Sequence, residues 1–396
     1  KIFGPGTVIA AAFIGPGTVT TCSVAGLKFG YSLLWAMMFS VFATIILQEM
    51  SSRLGLIGQI GLGTAIRKKY VSRIEKLLMM ILVISALGIG CAAYESGNIS
   101  GAALGIEAIT GMPVNILSLF VGILAFLLLW RGKYKIIESF LVSLVVIMGF
   151  TFIIASIVIK PDFSGIIKGL VPAFDKDSLY VSIGLIGTTV VPYNIFLHAS
   201  IVRNKWKNPE SLNDCRKDLI FSIILGGIIS SAIIVTSAEA FFGSGIKFEN
   251  AGQMAVQLQP LLGTWSKWFF ATGLFAAGVS SAITAPLAAS FAISEILGWS
   301  TNLKSIKLRF IWIVVLLTGV VFSVIGFKPI PLILFAQVTN GLLLSVIAVV
   351  LILVVNDKKL LRENANSKIQ NLFGIIVVLI AFFLGFVNIL KVLKVF

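Results

Sequence analysis

The chain of 396 residues is 58% hydrophobic and only 12% charged, and its mean hydropathy is +1.04. Soluble domains carry about a quarter charged residues, so this composition excludes a soluble protein and indicates a protein embedded in a lipid bilayer. The formal charge of +15 does not predict nucleic-acid binding, because the basic residues lie in short loops between apolar runs. No nucleic-acid partner is therefore expected.

Apolar runs long enough for a helix to cross the bilayer alternate with short polar loops along the whole chain. Barrel strands would instead show alternation over about 10 residues. No loop is long enough to fold alone, so residues 1–396 are expected to form one transmembrane domain. The pattern predicts eleven helical spans, at about 4–26, 31–55, 77–107, 113–131, 138–160, 179–202, 218–242, 262–297, 308–327, 330–355 and 371–393.

Two of these spans contain a helix breaker near their middle. The first span is interrupted at residues 14–18 (IGPGT), and the sixth at residues 191–194 (VPYN). In lipid, a broken backbone is tolerated only where it is buried in protein or lines a water-filled cavity, so each break is a candidate binding site. Broken helices in corresponding halves of a chain are typical of transporters built from inverted repeats.

The distribution of basic residues predicts the orientation of the chain. With the N-terminus inside, most of the 31 Lys and Arg residues fall in inner loops, as the positive-inside rule requires. We therefore expect a multi-pass protein of the plasma membrane, which in a prokaryote is the inner membrane, with a cytoplasmic N-terminus and an external C-terminus. Repeat one is predicted at about 4–160, repeat two at about 179–355, and an additional helix at about 371–393.

Other classes of function lack their motifs. Cys22, Cys91 and Cys215 are too far apart in the chain for a Cys-x-x-Cys motif and are interpreted as packing thiols. The sequence contains no Gly-x-x-x-x-Gly-Lys-Ser/Thr loop and no Ser-His-Asp or zinc constellation. Neither an enzyme nor an ATP-driven pump is predicted, and no cofactor is expected.

A series of ordered motifs resembles the NRAMP divalent-metal transporters, the natural resistance-associated macrophage proteins. The resemblance covers essentially the whole chain and implies an all-α membrane protein with the LeuT fold, a 5+5 inverted repeat and discontinuous helices 1 and 6. It also implies a secondary transporter that works by alternating access. The motifs are residues 4–6 (GPG), 15–18 (GPGT), 29–35 (FGYSLLW), 47–55 (LQEMSSRLG), 130–132 (WRG), 161–162 (PD), 190–198 (VVPYNIFLH), 277–284 (AGVSSAIT) and 336–338 (AQV).

This chain departs from the family pattern at the residues that bind metal. The resemblance puts the metal-binding Asp and Asn of the first span at Gly15 and Thr18. It puts the Met and His of the sixth span at Val191 and Tyr193. Gly15 offers only its backbone, Thr18 a neutral hydroxyl, Tyr193 a phenol, and Val191 no ligand.

Two further positions follow from the resemblance. A backbone-carbonyl ligand of the family falls on Thr188, and Gln337 occupies a tenth-span position that can contribute to the family site. If a metal is bound at all, Thr18, Thr188 and Gln337 are its candidate ligands. The predicted substrate-binding residues are Gly15, Thr18, Thr188, Val191, Tyr193 and Gln337.

The donor set favours some substrates over others. A dehydrated divalent ion needs donors that replace its water, and normally a carboxylate, so tight binding of Mn²⁺ or Fe²⁺ is not expected here. A cation that keeps most of its water, such as Mg²⁺, needs few protein ligands and is the preferred hypothesis. An anionic organic solute is the alternative, because the free N–H groups where a broken helix restarts create positive potential. A transport-inactive sensor is a third reading.

Proton coupling is predicted to be degraded or absent. The resemblance puts the two acids of the family's third-span relay at Glu95 and Asn98, and a second family histidine at His198. An acid at mid-membrane depth indicates a function by default, so Glu95 is a candidate for coupling or charge compensation. The alternative for Glu95 is a structural partner to a buried group. His198 is a candidate proton relay, and its alternative is a packing or loop-tethering role.

Five other polar positions each have a structural interpretation. Glu49 and Arg53 have the i, i+4 spacing of a structural ion pair. Glu239 and Glu295 fall near the ends of predicted spans, where solvated carboxylates are common. Asn340 lies almost one turn from Gln337, and the two either close an outer gate or join neighbouring helices by hydrogen bonds.

Overall fold

The computed structural model describes residues 14–131, 135–173 and 178–392, and the regular structure within these ranges is helical. We number its α-helices in chain order. They are α1 (Pro16–Phe29), α2 (Leu34–Leu56), α3 (Leu62–Lys69), α4 (Arg73–Thr110), α5 (Val114–Arg131), α6 (Lys135–Val158), α7 (Phe163–Gly169), α8 (Leu179–Thr189), α9 (Pro192–Lys205), α10 (Leu212–Phe241), α11 (Ala251–Ala255), α12 (Gln259–Leu262), α13 (Ser266–Leu297), α14 (Ile306–Val324), α15 (Pro329–Val355), α16 (Lys358–Leu361) and α17 (Lys368–Val392).

Ten helical segments of the described chain are long and apolar enough to cross a membrane, with α8 and α9 counted as one. They correspond to the second to eleventh predicted spans, so the all-helical, multi-pass architecture is confirmed. The predicted first span lies partly outside the described residues, and its described half is α1. Predicted ends are close to the observed ones; the third span, expected at about 77–107, is Arg73–Thr110.

Helix α4 lies at the centre of the bundle. It has 38 residues and packs against α13, α14 and α15. Gly278 of α13 lies directly against α4, where an added Cβ would come within 2.5 Å of the Ala102 side chain. Small residues allow membrane helices to approach this closely, so Gly278 serves the packing of α13 on α4.

Both predicted breaks appear in the backbone. Helix α1 begins at Pro16, after Gly15 in an extended conformation (φ −102°, ψ −176°). Helix α8 ends at Thr189 and α9 begins at Pro192, with Val191 extended between them (φ −75°, ψ 122°). Proline has no N–H and cannot continue a preceding helix, but it fits the first position of a new one. The same residue type therefore starts both half-helices.

The loops predicted to face inward lie together at one end of the bundle, which we call the basic end. There Lys69 lies 3.8 Å from Asp357, and Arg309 lies 4.7 Å from the ring centroid of Trp130. The i, i+4 pair expected of Glu49 and Arg53 is present, with the Arg53 Nε donating to Glu49 over 2.9 Å.

The other set of loops lies at the opposite end, which we call the distal end. The Tyr31 hydroxyl, in the loop after α1, donates to the Glu239 carboxylate at the end of α10. Burial and this carboxylate raise the pKa of the Tyr31 phenol. Glu239 is exposed, as expected of a solvated helix end.

Two features at the basic end differ from the sequence-based expectation. The loop after α2 contains a short helix, α3, which the sequence did not predict. Glu295 is only 8% exposed, so its interpretation as a solvated helix end was wrong. The reason is the glycine pair before and within α3: a Cβ on Gly61 would lie 2.1 Å from the Glu295 carboxylate, and one on Gly63 would lie 2.8 Å from the Glu295 Cβ.

Candidate functional site between the helix breaks

The two helix breaks meet in the buried interior of the bundle. The hydroxyls of Thr18 on α1 and Thr188 on α8 lie 2.7 Å apart and form a hydrogen bond. Both side chains are fully buried. The structure therefore brings together two of the predicted binding residues, one from each half of the chain.

Gln337 of α15 reaches the same place. Its side chain lies against Gly17, where an added Cβ would come within 2.1 Å of the Gln337 Nε2. Both polar atoms of this fully buried amide lack a hydrogen-bond partner among the described residues. Because Gly17 has no side chain, the amide of Gln337 fits beside the first turn of α1.

The space next to Gly15 is occupied by two hydroxyl groups. A Cβ at position 15 would lie 3.1 Å from the Ser281 Oγ and 3.6 Å from the Tyr94 Oη. The Tyr94 ring contacts that of Tyr193 edge to face, with centroids 5.6 Å apart. Neither phenol has a hydrogen bond of normal geometry among the described residues. Neutral hydroxyls therefore lie where a side chain at position 15 would extend.

Two asparagines add further amides that the predicted residue set left out. Asn194, in the first turn of α9, is 1% exposed, and neither of its amide atoms has a partner in the described chain. Asn340 of α15 is 1% exposed as well, and its Nδ2 lacks a partner there. Asn194 lies within the break motif itself, which was a usable signal, whereas Tyr94 and Ser281 could be found only from helix packing.

Helix ends of both polarities meet at the break. Helix α8 ends at Thr189, so carbonyls of its last turn point into the break without intrahelical donors. The N-termini of α1 and α9 bring positive ends to the same region. Within the described residues, no group of three or more His, Cys, Asp or Glu side chains could hold a metal ion. Val191, fully buried at the break, adds no donor.

Glu95 lies beside the site and not in it. Its carboxylate accepts a hydrogen bond from the Asn98 amide over 3.3 Å, and its other oxygen has no partner among the described residues. The side chain lies against α14, because a Cβ on Gly319 would come within 2.5 Å of the Glu95 Cγ. No Lys or Arg of the described chain forms an ion pair with it.

His198 lies one turn below the second break and faces α2. Its Nε2 is 2.7 Å from the Ser52 hydroxyl, while its Nδ1 is buried without a partner in the described residues. This hydrogen bond between α9 and α2 supports the packing role considered for His198. A relay role for His198 stays a prediction.

The chain also matches known proteins over nearly its whole length. A family model described as Nramp, natural resistance-associated macrophage protein-like, matches residues 6–391. The chain belongs to the Nramp family. It is a membrane transporter of this family and not an enzyme, and the resemblance seen in the motifs is confirmed.

Curated relatives of this Nramp protein carry the name divalent metal cation transporter MntH. The protein from Caldanaerobacter subterraneus is 24% identical over 387 residues, which cover 95% of this chain and 90% of the relative. The protein from Bradyrhizobium diazoefficiens is 29% identical over 385 residues, which cover 92% of this chain and 83% of the relative.

Solved structures confirm the LeuT-type fold. A manganese transporter mutant from Eremococcus coleocola superposes with a TM-score of 0.78 at 22% identity, covering 98% of this chain and 86% of that one. MhsT in complex with L-phenylalanine gives a TM-score of 0.62 at 14% identity, with 97% of both chains covered. At these identities the similarity concerns the fold alone.

Proposed function

We propose that this Nramp protein is a secondary transporter that works by alternating access and carries a divalent cation which keeps most of its water, of the Mg²⁺ type. It would do so with degraded or absent proton coupling, in the plasma membrane, with the basic end facing the cytoplasm. The names of its relatives favour a divalent cation over other solutes.

One observation carries the proposal: the buried groups between the helix breaks are uncharged. The amides of Gln337 and Asn194 lack partners in the described chain, and the phenols of Tyr94 and Tyr193 have no hydrogen bond of normal geometry there. Such groups bond well to water but poorly replace it around a small divalent ion. Mg²⁺ sheds water reluctantly and is commonly held through it, so these groups suit its hydration shell better than bare Mn²⁺.

The charge of such an ion still needs an offset. Glu95 is the buried carboxylate beside the site, and it has no cationic partner among the described residues. An unpaired carboxylate at this depth is costly, and a divalent cation nearby would lower that cost. The family's second acid is Asn98 here, so one carboxylate cannot both offset the cation and supply a two-acid relay.

The test is uptake into liposomes that contain the purified protein, with Mg²⁺, Mn²⁺ and Ca²⁺ compared and binding measured by calorimetry. We expect Mg²⁺ uptake and weak or absent Mn²⁺ binding. Hexaamminecobalt(III), whose ammonia ligands do not exchange, should inhibit Mg²⁺ uptake if the hydration shell is what the site recognises. Micromolar Mn²⁺ binding that Gly15→Asp does not strengthen would contradict the proposal.

A second candidate is supported by a cavity at the distal end. This cavity of about 570 Å³ is lined by Lys28, Lys247 and apolar residues of α1 and α15, including Leu334. Gln337 lies one turn deeper on the same face of α15, so the cavity is on the approach to the site. Two lysines there favour an anionic organic solute. If none of the three metals is bound or taken up, and an organic acid raises the unfolding temperature of the protein, this candidate is favoured.

A further inference from the structure

The second broken helix is held on two sides, and the two sides differ in kind. On one side, the Ser51 hydroxyl of α2 donates to the Ile195 carbonyl of α9 over 2.5 Å. A Cβ on Gly55 would lie only 2.3 Å from the Ala199 carbonyl, so the two backbones are in direct contact. Together with the bond between Ser52 and His198, these contacts make α2 and α9 one packed unit.

On the other side, the hydrogen bond and the ion pair between α9 and α13 both end on Glu295. The Ser200 hydroxyl donates to the Glu295 Oε1 over 3.1 Å, and the Arg203 Nη2 lies 3.9 Å from the same oxygen. The carboxylate also lies against the N-terminus of α3, where a Cβ on the N-cap Gly61 would come within 2.1 Å of it. A carboxylate is stable at a helix N-terminus, so Glu295 is fixed on the α3 and α13 side.

At the distal end, Gln257 makes the corresponding connection to the first broken helix. Its Nε2 donates to the Ser23 hydroxyl of α1 over 3.0 Å, and its Oε1 accepts from Thr236 of α10 over 3.3 Å. Gln257 follows α11, which packs on α4 and α13. It is fully buried. The contact therefore joins the α4 and α13 side to α1 and α10, at the opposite end from Glu295.

We propose that these contacts are two opposed latches: Glu295 with Ser200 and Arg203 closes the basic end, and Gln257 with Ser23 and Thr236 closes the distal end. In alternating access one end opens while the other stays shut, so the two latches release in turn. The basic-end latch has a charge-assisted hydrogen bond and an ion pair, whereas the distal-end latch has two neutral hydrogen bonds. Hydrogen bonds to a charged group are roughly twice as strong as neutral ones, so with the ion pair added the basic-end latch is the stronger. At rest the transporter accordingly favours the state that opens at the distal end.

The inference depends on alternating access but not on the identity of the cargo, and its test uses no substrate. Ser281→Cys, beside Gly15, is the reporter in a protein whose Cys22, Cys91 and Cys215 are replaced by alanine. A membrane-impermeant maleimide is applied to right-side-out and inside-out vesicles. A second reporter, Asn208→Cys in an exposed basic-end loop, identifies the vesicles that present the basic end.

Breaking each latch should shift labelling in opposite directions. Glu295→Ala should raise the labelling rate from the basic end about tenfold, the change expected for loss of one charge-assisted hydrogen bond, and lower it from the distal end. Glu295→Gln, which keeps an acceptor for Ser200, should fall between. Gln257→Ala should raise the rate from the distal end by a smaller factor and lower it from the basic end.

Matched controls are available at both ends. Glu210→Gln and Gln259→Ala change exposed residues of the same types and should leave both rates unchanged. If Glu295→Ala does not fold, Ser200→Ala and Arg203→Ala break the same latch from the α9 side and carry the same expectation. Equal changes from both ends, or no change in any latch variant, would overturn the inference.

Discussion

At the scale of single residues, Gly17 and Gln337 are in close contact within the site. A Cβ on Gly17 would lie 2.1 Å from the Gln337 Nε2. Gly17→Ala should therefore displace the amide from the break and lower cation uptake at least about fivefold, while the overpacking destabilises the protein by about 1–3 kcal/mol. Uptake and thermal unfolding of the variant check both effects.

Gly88→Ala is the matched control, because no atom lies within 4 Å of the added methyl group. It lies within α4, where alanine is the better helix former, so stability should be unchanged or slightly higher. Transport should match that of the wild type. A Gly17→Ala variant that transports as well as Gly88→Ala would exclude Gln337 from the site.

Glu95 can be tested by removing its charge and keeping its shape. Glu95→Gln should lower Mg²⁺ uptake at least about tenfold, because the carboxylate that offsets the cation is lost. Stability should be unchanged or higher, since an unpaired buried carboxylate is costly. Glu75→Gln, at an exposed position on the same helix, should change neither property. Normal uptake with lower thermal stability would instead assign Glu95 the structural role.

The residue pattern indicated part of the site and missed the rest for a physical reason. Thr18, Thr188 and Gln337 were predicted and do lie together, because the breaks that carry the first two must face each other. Tyr94 and Ser281 were not predicted as binding residues, since they lie in unbroken helices. Only the crossing of α4 and α13 at Gly15 brings their hydroxyls to the site.

At the scale of helices, proline and long apolar runs determined what could be predicted. Pro16 and Pro192 indicate where the two half-helices begin, because a proline cannot continue a helix that precedes it. Helix α3 has only 8 residues and little apolar surface, so no pattern separates it from a loop. The burial of Glu295 could not be anticipated because it depends on where α3 packs.

A buried arginine joins three elements at the basic end. Arg53 of α2 is 1% exposed and donates to Glu49, to the Asn364 carbonyl over 2.7 Å and to the Asn366 side chain over 2.6 Å. Arg53→Ala should destabilise the protein by about 2–4 kcal/mol, because the Asn364 carbonyl and the Asn366 side chain lose their charged donor, although Glu49 keeps Arg216 as a partner. Thermal unfolding in detergent measures the loss.

Two substitutions calibrate that result. Arg53→Lys keeps the charge but loses the planar fork that reaches three partners, so it should recover only part of the stability. Arg73→Ala changes an exposed arginine at the start of α4 and should have little effect. Equal unfolding temperatures for Arg53→Ala and Arg73→Ala would show that the network contributes nothing to stability.

At the scale of the whole molecule, the distribution of charge and the polarity of the site are separate features. The chain carries a formal charge of +15, and its basic loops gather at one end, where Glu49 also pairs with Arg216 over 2.7 Å. Loops rich in Lys and Arg determine orientation during insertion. The excess charge therefore relates to topology, whereas the neutral donors between the breaks are the basis of the proposed substrate preference.

That separation leads to a prediction about orientation. If the basic end is cytoplasmic, Asn208→Cys should react with an impermeant maleimide only in inside-out vesicles or permeabilised cells. Ser244→Cys, in an exposed distal-end loop, should react only in intact cells or right-side-out vesicles. The buried native cysteines should stay unreactive in both. The reverse labelling pattern would place the basic end outside, and the cavity lined by Lys28 and Lys247 would then open to the cytoplasm. In that case the distal-end cavity would be a release route and not an entrance.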